Sequence, residues 1–189
     1  MTTRMVGKIT LVYPPDEQDT MALVAETCKK ALQWIGMLWG LGEPARCRIY
    51  IMTSWRDFIV GSAPGLWKIY ANMTLPMWQV RARRMWPYSA AWTLHYGRHV
   101  TIGIKPPHLL AAGDRSIGLK IFVPETNPEE KIRHVTCHEL VHACSVHLRL
   151  PMWLNEGIAM LTVDRLLGLE TIRRETLELI RETLPKAAP

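Results

Sequence analysis

His138, Glu139 and His142 form an H-E-x-x-H motif, and residues 143–155 separate it from Glu156 in the run W-L-N-E-G. Imidazole nitrogens and carboxylate oxygens are what zinc takes in sites that keep one position open. A glutamate beside such ligands, but off the metal, is placed to act as a general base. The chemistry these residue types can support is metal-assisted hydrolysis, provided the chain brings them together.

Asn127-Pro128-Glu129-Glu130 reads as a helix start. Asn127 can cap, Pro128 suits the first helical position, and Glu130 can close a capping box. Both acids favour the positive end of the helix dipole. A helix is therefore expected over 128–148. At about 100° per residue, His138 and His142 point about 40° apart, so their rings stack one turn apart. Both can then reach one ion at about 2.0–2.1 Å. Glu139 falls about 60° from His142, off the ion but close to a water at the open position. Cys137 and Cys144 lie about 100° or more from His138 and are read as packing. Leu140, Val141, Ala143 and Val146 make this helix apolar nearly all round. Polar side chains buried there without partners are costly, and a shared metal removes that cost. His134, one turn before His138, is a candidate for the rim or for supporting a ligand, whereas His147 points away.

Arg149-Leu150-Pro151 reads as a turn into a second helix over 152–167, anchored by Met152, Trp153 and Leu154. Glu156 then sits in its first turns as the candidate third ligand. Gly157 and Ala159 are small, which is expected to let the two helices approach closely.

HELVH followed by LPMWLNEGIA resembles the gluzincin branch of zinc metallopeptidases, most closely the peptidase MA-like domains, whose second motif is P-x-W-L-x-E-G-x-A. Residues 153–159 also resemble the zinc-ligand segment of the aminopeptidase-N-type enzymes, and the strong match spans about residues 128 to 162. The resemblance implies a zincin-like α+β fold: a small mixed sheet packed on a zinc-binding active-site helix, with a helical C-terminal part. It implies one Zn2+ held by His138, His142 and Glu156, with Glu139 as general base and proton shuttle. It also implies an edge strand before the zinc helix, 99–104 or 119–123 here, pairing with an extended peptide substrate. The reaction would be attack of water on an amide carbonyl. The spacer to the glutamate is shorter than in the aminopeptidase-N and thermolysin types. In the thermolysin type an aspartate four residues after the third ligand supports a ligand histidine. Met160 stands at that position, leaving Asn155 or Asp164 as candidates. No Tyr or His follows residue 147, so an oxyanion donor is sought among Tyr88, Tyr96, His95, His99, Arg165, Arg173 and Arg174. That lack motivates a second reading, a non-catalytic metallopeptidase-like zinc domain that binds a peptide or protein partner.

The rest of the chain must position this site. Its 189 residues suit a single domain, with residues 1–125 as an α/β sheet part and 126–189 as the helical zinc-binding part. Strands are expected at 7–13, 46–53, 99–104 and 119–123, and helices at 16–40, 54–60, about 75–85 and 170–184. Segment 61–98 is rich in Trp and Tyr and broken by prolines. It reads either as a satellite core cluster or as an aromatic wall beside a cleft. The net charge of +6 is diffuse, and the one tight basic run is Arg81, Arg83 and Arg84, so nucleic-acid binding ranks third among the readings. The four cysteines are too scattered for a disulfide scaffold. The N-terminus lacks an apolar stretch long enough for a signal peptide, and no segment approaches a membrane span, so a cytoplasmic location and no membrane partner are expected.

Overall fold

The β-branched run Ile9–Tyr13 (β2) ends at two prolines, and helix α1 (Gln18–Trp39) follows and delivers the chain to β3 (Cys47–Ile51). β2 and β3 pair in parallel, which needs the crossover that α1 provides. The computed structural model describes residues 1–97, 99–110, 127–168 and 170–183. It adds a strand ahead of β2 that the sequence reading missed, β1 (Thr2–Val6), antiparallel to β2. Its mostly exposed side chains carry little apolar periodicity. Helix α1 ends at Gly40, whose positive φ of 66° closes the last turn with a bond to the Gly36 carbonyl.

After β3 come α2 (Trp55–Ser62), capped by Ser54, and α3 (Leu66–Met85). The expected helix at 75–85 is thus the C-terminal half of a longer one with Pro76 inside it. Then β4 (Ala91–Tyr96) and β5 (His99–Ile104) form an antiparallel hairpin. The sheet order is β1-β2-β3-β5-β4, with β5 parallel to β3. β5 is therefore interior, and β4 is the edge strand on this side among the described residues. This corrects the expectation that 99–104 forms the edge. The other candidate, 119–123, lies outside the described residues.

One sheet face carries the core. Ile9, Leu11, Ile49, Ile51, Ile102 and Ile104 meet α1 and α4 (Pro128–Ser145) there, and α5 (Met152–Leu167) packs behind. On α4, Ile132, Leu140 and Val141 are all at 0% exposure, each contributing about 1.5–3 kcal/mol. Asn127 caps α4 by accepting from the Glu129 amide at 2.9 Å. On the opposite face Phe58 of α2 packs against Gly103, where an added Cβ would meet the Phe58 ring at 2.8 Å. A last helix, α6 (Arg174–Thr183), follows. The architecture is α+β, with one five-stranded mixed sheet among the described residues. Among the described residues no helix is long and apolar enough to cross a membrane.

Candidate metal centre

His138 and His142 lie in the C-terminal half of α4, and their Nε2 atoms approach to 3.0 Å. Glu156, in the second turn of α5, brings its two carboxylate oxygens to 3.2 Å from His138 Nε2 and 3.4 Å from His142 Nε2. Donors bound tetrahedrally at about 2.0–2.1 Å sit about 3.3 Å from one another. The observed spacings match that value, so the donor set fits a zinc ion. Both histidines are mostly buried while Glu156 is half exposed, which leaves the cluster open on one side. Burial holds His138 down to about 3, helped by the neighbouring His142 and His134. It is thus neutral at pH 7, the form in which imidazole binds metal. Neither Nδ1 has a hydrogen-bond partner among the described residues. Ligand histidines ordinarily donate that proton to a carboxylate, carbonyl or water.

The tight link between α4 and α5 brings Glu156 to the histidines. A 3-10 turn at Val146–Leu148 leads to Arg149, held in the left-handed region at φ 50°, ψ 42°. Arg149 is the one non-glycine residue with positive φ among those described. Pro151 then opens α5, its carbonyl accepting from Leu154 and Asn155 at 3.0 Å. Ala159, fully buried, is where α5 packs into the core. Gly157 faces open space, with nothing within 4 Å of an added Cβ, so the expectation that it permits close approach is corrected.

Glu139 stays off the cluster. Its Oε2 accepts a short hydrogen bond from the Thr93 hydroxyl of β4. Thr93 and His95 face α4, and with Glu139, His142, Arg149 and Glu156 they line a cavity of about 350 Å3. Comparison with known proteins gives no match. No family model, curated protein or solved structure resembles the chain significantly. Its chemistry therefore has to be read from this geometry.

The other expected site residues divide. Asn155 lines the cavity and accepts from Ser145 Oγ at 2.7 Å, tying the end of α4 to the residue before Glu156. His134 lies one turn before His138, with ring centroids 6.2 Å apart and the rings tilted, and is not among the residues lining the cavity. Asp164 does not support a ligand; it accepts from the Thr171 amide at 3.0 Å and the Thr171 hydroxyl at 2.6 Å, fastening the turn after α5. Tyr96 lies on the opposite face of β4, against Trp67 and the Ile59 carbonyl, and is not a cavity residue. The strand alternates, and even positions face away from α4. His99 pairs with Arg46 at 3.2 Å, and Arg174 with Glu170 at 3.8 Å. Of the oxyanion candidates only His95 lines the cavity.

Three polar cavity residues were given no site role by the sequence reading: Thr93, Ser145 and Arg149. The signal for Thr93 was present, since A-W-T-L-H-Y alternates apolar with polar and stops at Gly97. The cysteines are all buried and free, burial pushes Cys47, Cys137 and Cys144 up to about 12, and none belongs to the His138, His142 and Glu156 cluster.

Proposed function

We propose that this protein is a zinc-dependent metallopeptidase of the gluzincin kind. The observation that carries the reading is the convergence of His138, His142 and Glu156 on one point while Glu139 is held apart by Thr93. A zinc ion there would supply Lewis acidity and lower the pKa of a water toward neutrality. Glu139, anchored at one oxygen, has its other oxygen to take the water's proton and return it to the leaving amine. His95 and Arg149 are the cavity's donors for the developing oxyanion.

The edge strand supports a peptide substrate. The Lys105 amide donates to the Ala90 carbonyl, which makes even-numbered β4 residues the hydrogen-bonded partners of β5. Ala91, Thr93 and His95 therefore turn their amides and carbonyls outward, ready to pair with an extended backbone. The fold proposed with this reading is zincin-like.

Elemental analysis of protein purified without added metal should find about one zinc per chain. Glu139→Gln should keep that zinc and lose cleavage of a mixed peptide library. Absence of zinc, or Glu139→Gln cleaving as well as the wild type, would sink the reading. The lack of a Tyr or His after residue 147 motivates one alternative, a non-catalytic zinc domain that binds a peptide or protein partner. It predicts zinc-dependent stability with no cleavage by either protein.

A further inference from the structure

Helix α3 departs from the usual distribution of side chains on a surface helix. Leu66, Ile69, Met73 and Met77 are each more than half exposed, and Trp67, Tyr70 and Trp78 nearly so or more. Contiguous apolar surface of this kind marks a binding face. Of these, Trp67, Tyr70 and Trp78 border a groove between α3 and β4 of about 710 Å3, within the range of ligand sites and larger than the metal cavity, while Leu66, Ile69, Met73 and Met77 lie outside it. Trp67, Tyr70, Trp78, Trp92, Leu94 and Tyr96 form its walls.

Thr93 and His95 line both the groove and the metal cavity, so β4 is the partition between them. A peptide paired to the outward amides of β4 sends its side chains alternately to the two faces. Those level with Thr93 and His95 face the metal, and those level with Trp92, Leu94 and Tyr96 face the groove. Arg81 is the one formally charged residue among those lining the groove and no acidic side chain lines it, so basic side chains are disfavoured there.

We propose that this groove sets substrate choice, taking aromatic or large aliphatic side chains at every second position of the bound peptide and rejecting lysine and arginine. The proposal rests on the peptidase reading, and its test separates the two. Labelled decapeptides carrying Phe, Ala or Lys at alternate positions are titrated by anisotropy into zinc-loaded Glu139→Gln protein and assayed for cleavage by the wild type. Phe peptides should bind about tenfold or more tighter than Ala peptides, and Lys peptides weakest. Trp78→Ala and Thr74→Trp, one opening and one filling the groove, should each reduce the Phe preference to about threefold or less with zinc content intact.

Equal binding of Phe and Ala peptides overturns the proposal. So does a Phe preference that both groove variants leave intact. Two other occupants are covered by controls, vesicles of phosphatidylcholine and phosphatidylserine and the protein's own self-association. If the groove variants abolish either of these while peptide selectivity stays, the groove belongs to that partner and the proposal fails. Trp78-dependent binding without any cleavage keeps the groove and rejects the peptidase; cleavage without selectivity does the reverse.

Discussion

Gly157 and Ala159 lie two residues apart on α5, and opposite consequences follow from enlarging them. Gly157 is interior to the helix, exposed, and free of neighbours within 4 Å of an added Cβ. Gly157→Ala should therefore stabilise by about 0.8–1 kcal/mol through helix propensity alone. For a chain of 189 residues that raises Tm by about 2–4 °C. Zinc affinity should not change. Ala159 is at 0% exposure in the core against which α4 packs. Ala159→Leu adds three carbons where there is no room, costing about 1–3 kcal/mol. It also pushes α5 outward. The Glu156 oxygens, now 3.2 and 3.4 Å from the histidine nitrogens, then fall outside the spacing one ion can span. Affinity should drop about 10–100-fold, the scale of a disturbed ligand environment. At fixed zinc that removes about 1.4–2.7 kcal/mol of metal-linked stability. Competition with a chromophoric chelator reads the affinity, and melts with and without zinc read the stability. Equal zinc affinities for the two variants, or an Ala159→Leu protein that holds zinc as the wild type does, would refute the proposed geometry.

Three further outcomes follow from the same site and its frame. Ser145→Ala removes a bond from a hydroxyl at 2% exposure to Asn155, so chemical denaturation should show a loss of about 1–2 kcal/mol, and chelator competition should show zinc held about tenfold less tightly. Arg149→Gly relieves the left-handed backbone at φ 50° and should leave stability unchanged or raise it by up to about 1 kcal/mol. Cleavage kinetics should show kcat reduced about 10–100-fold at similar KM; an unchanged kcat would assign the oxyanion to His95 instead. Lys105, buried at the end of β5 with its ammonium on the Trp86 carbonyl and over the Trp86 ring, is pushed down to about 8 by burial and then by Lys131. The unfolded chain binds more protons between about 8 and the ordinary 10.5, so this group's penalty is full below pH 8 and fades as pH rises to 10.5. The gain is at most about 3 kcal/mol, and denaturation of Lys105→Met at pH 7.5 and 10 should lack it.

Much of the site was legible because it is local. The H-E-x-x-H spacing stacks two imidazoles on any α-helix, and Asn127-Pro128 marks where that helix begins. The second helix was legible for a similar reason, with Pro151 opening it and Gly168 closing it at φ 67°. Segment 61–98 was not, because its local signals conflict. Pro76 argues against a helix that nonetheless runs through it, and the aromatic residues on both sides of that helix mask where it begins. Asp164 shows a further limit. Its helical face agreed with a supporting role, but the chain returns at Thr171 and claims both bonds.

The sequence by itself determined which residues are candidate ligands and the two helices that carry them, because those depend on periodicity and caps within one element. Only the tertiary structure decided which strand is the edge, that Thr93 holds Glu139, that Arg149 and His95 face the cavity, and that Tyr96 does not. Those depend on strand order and on contacts between residues as far apart as Thr93 and Glu139, which a period of two or of about 3.6 residues does not encode.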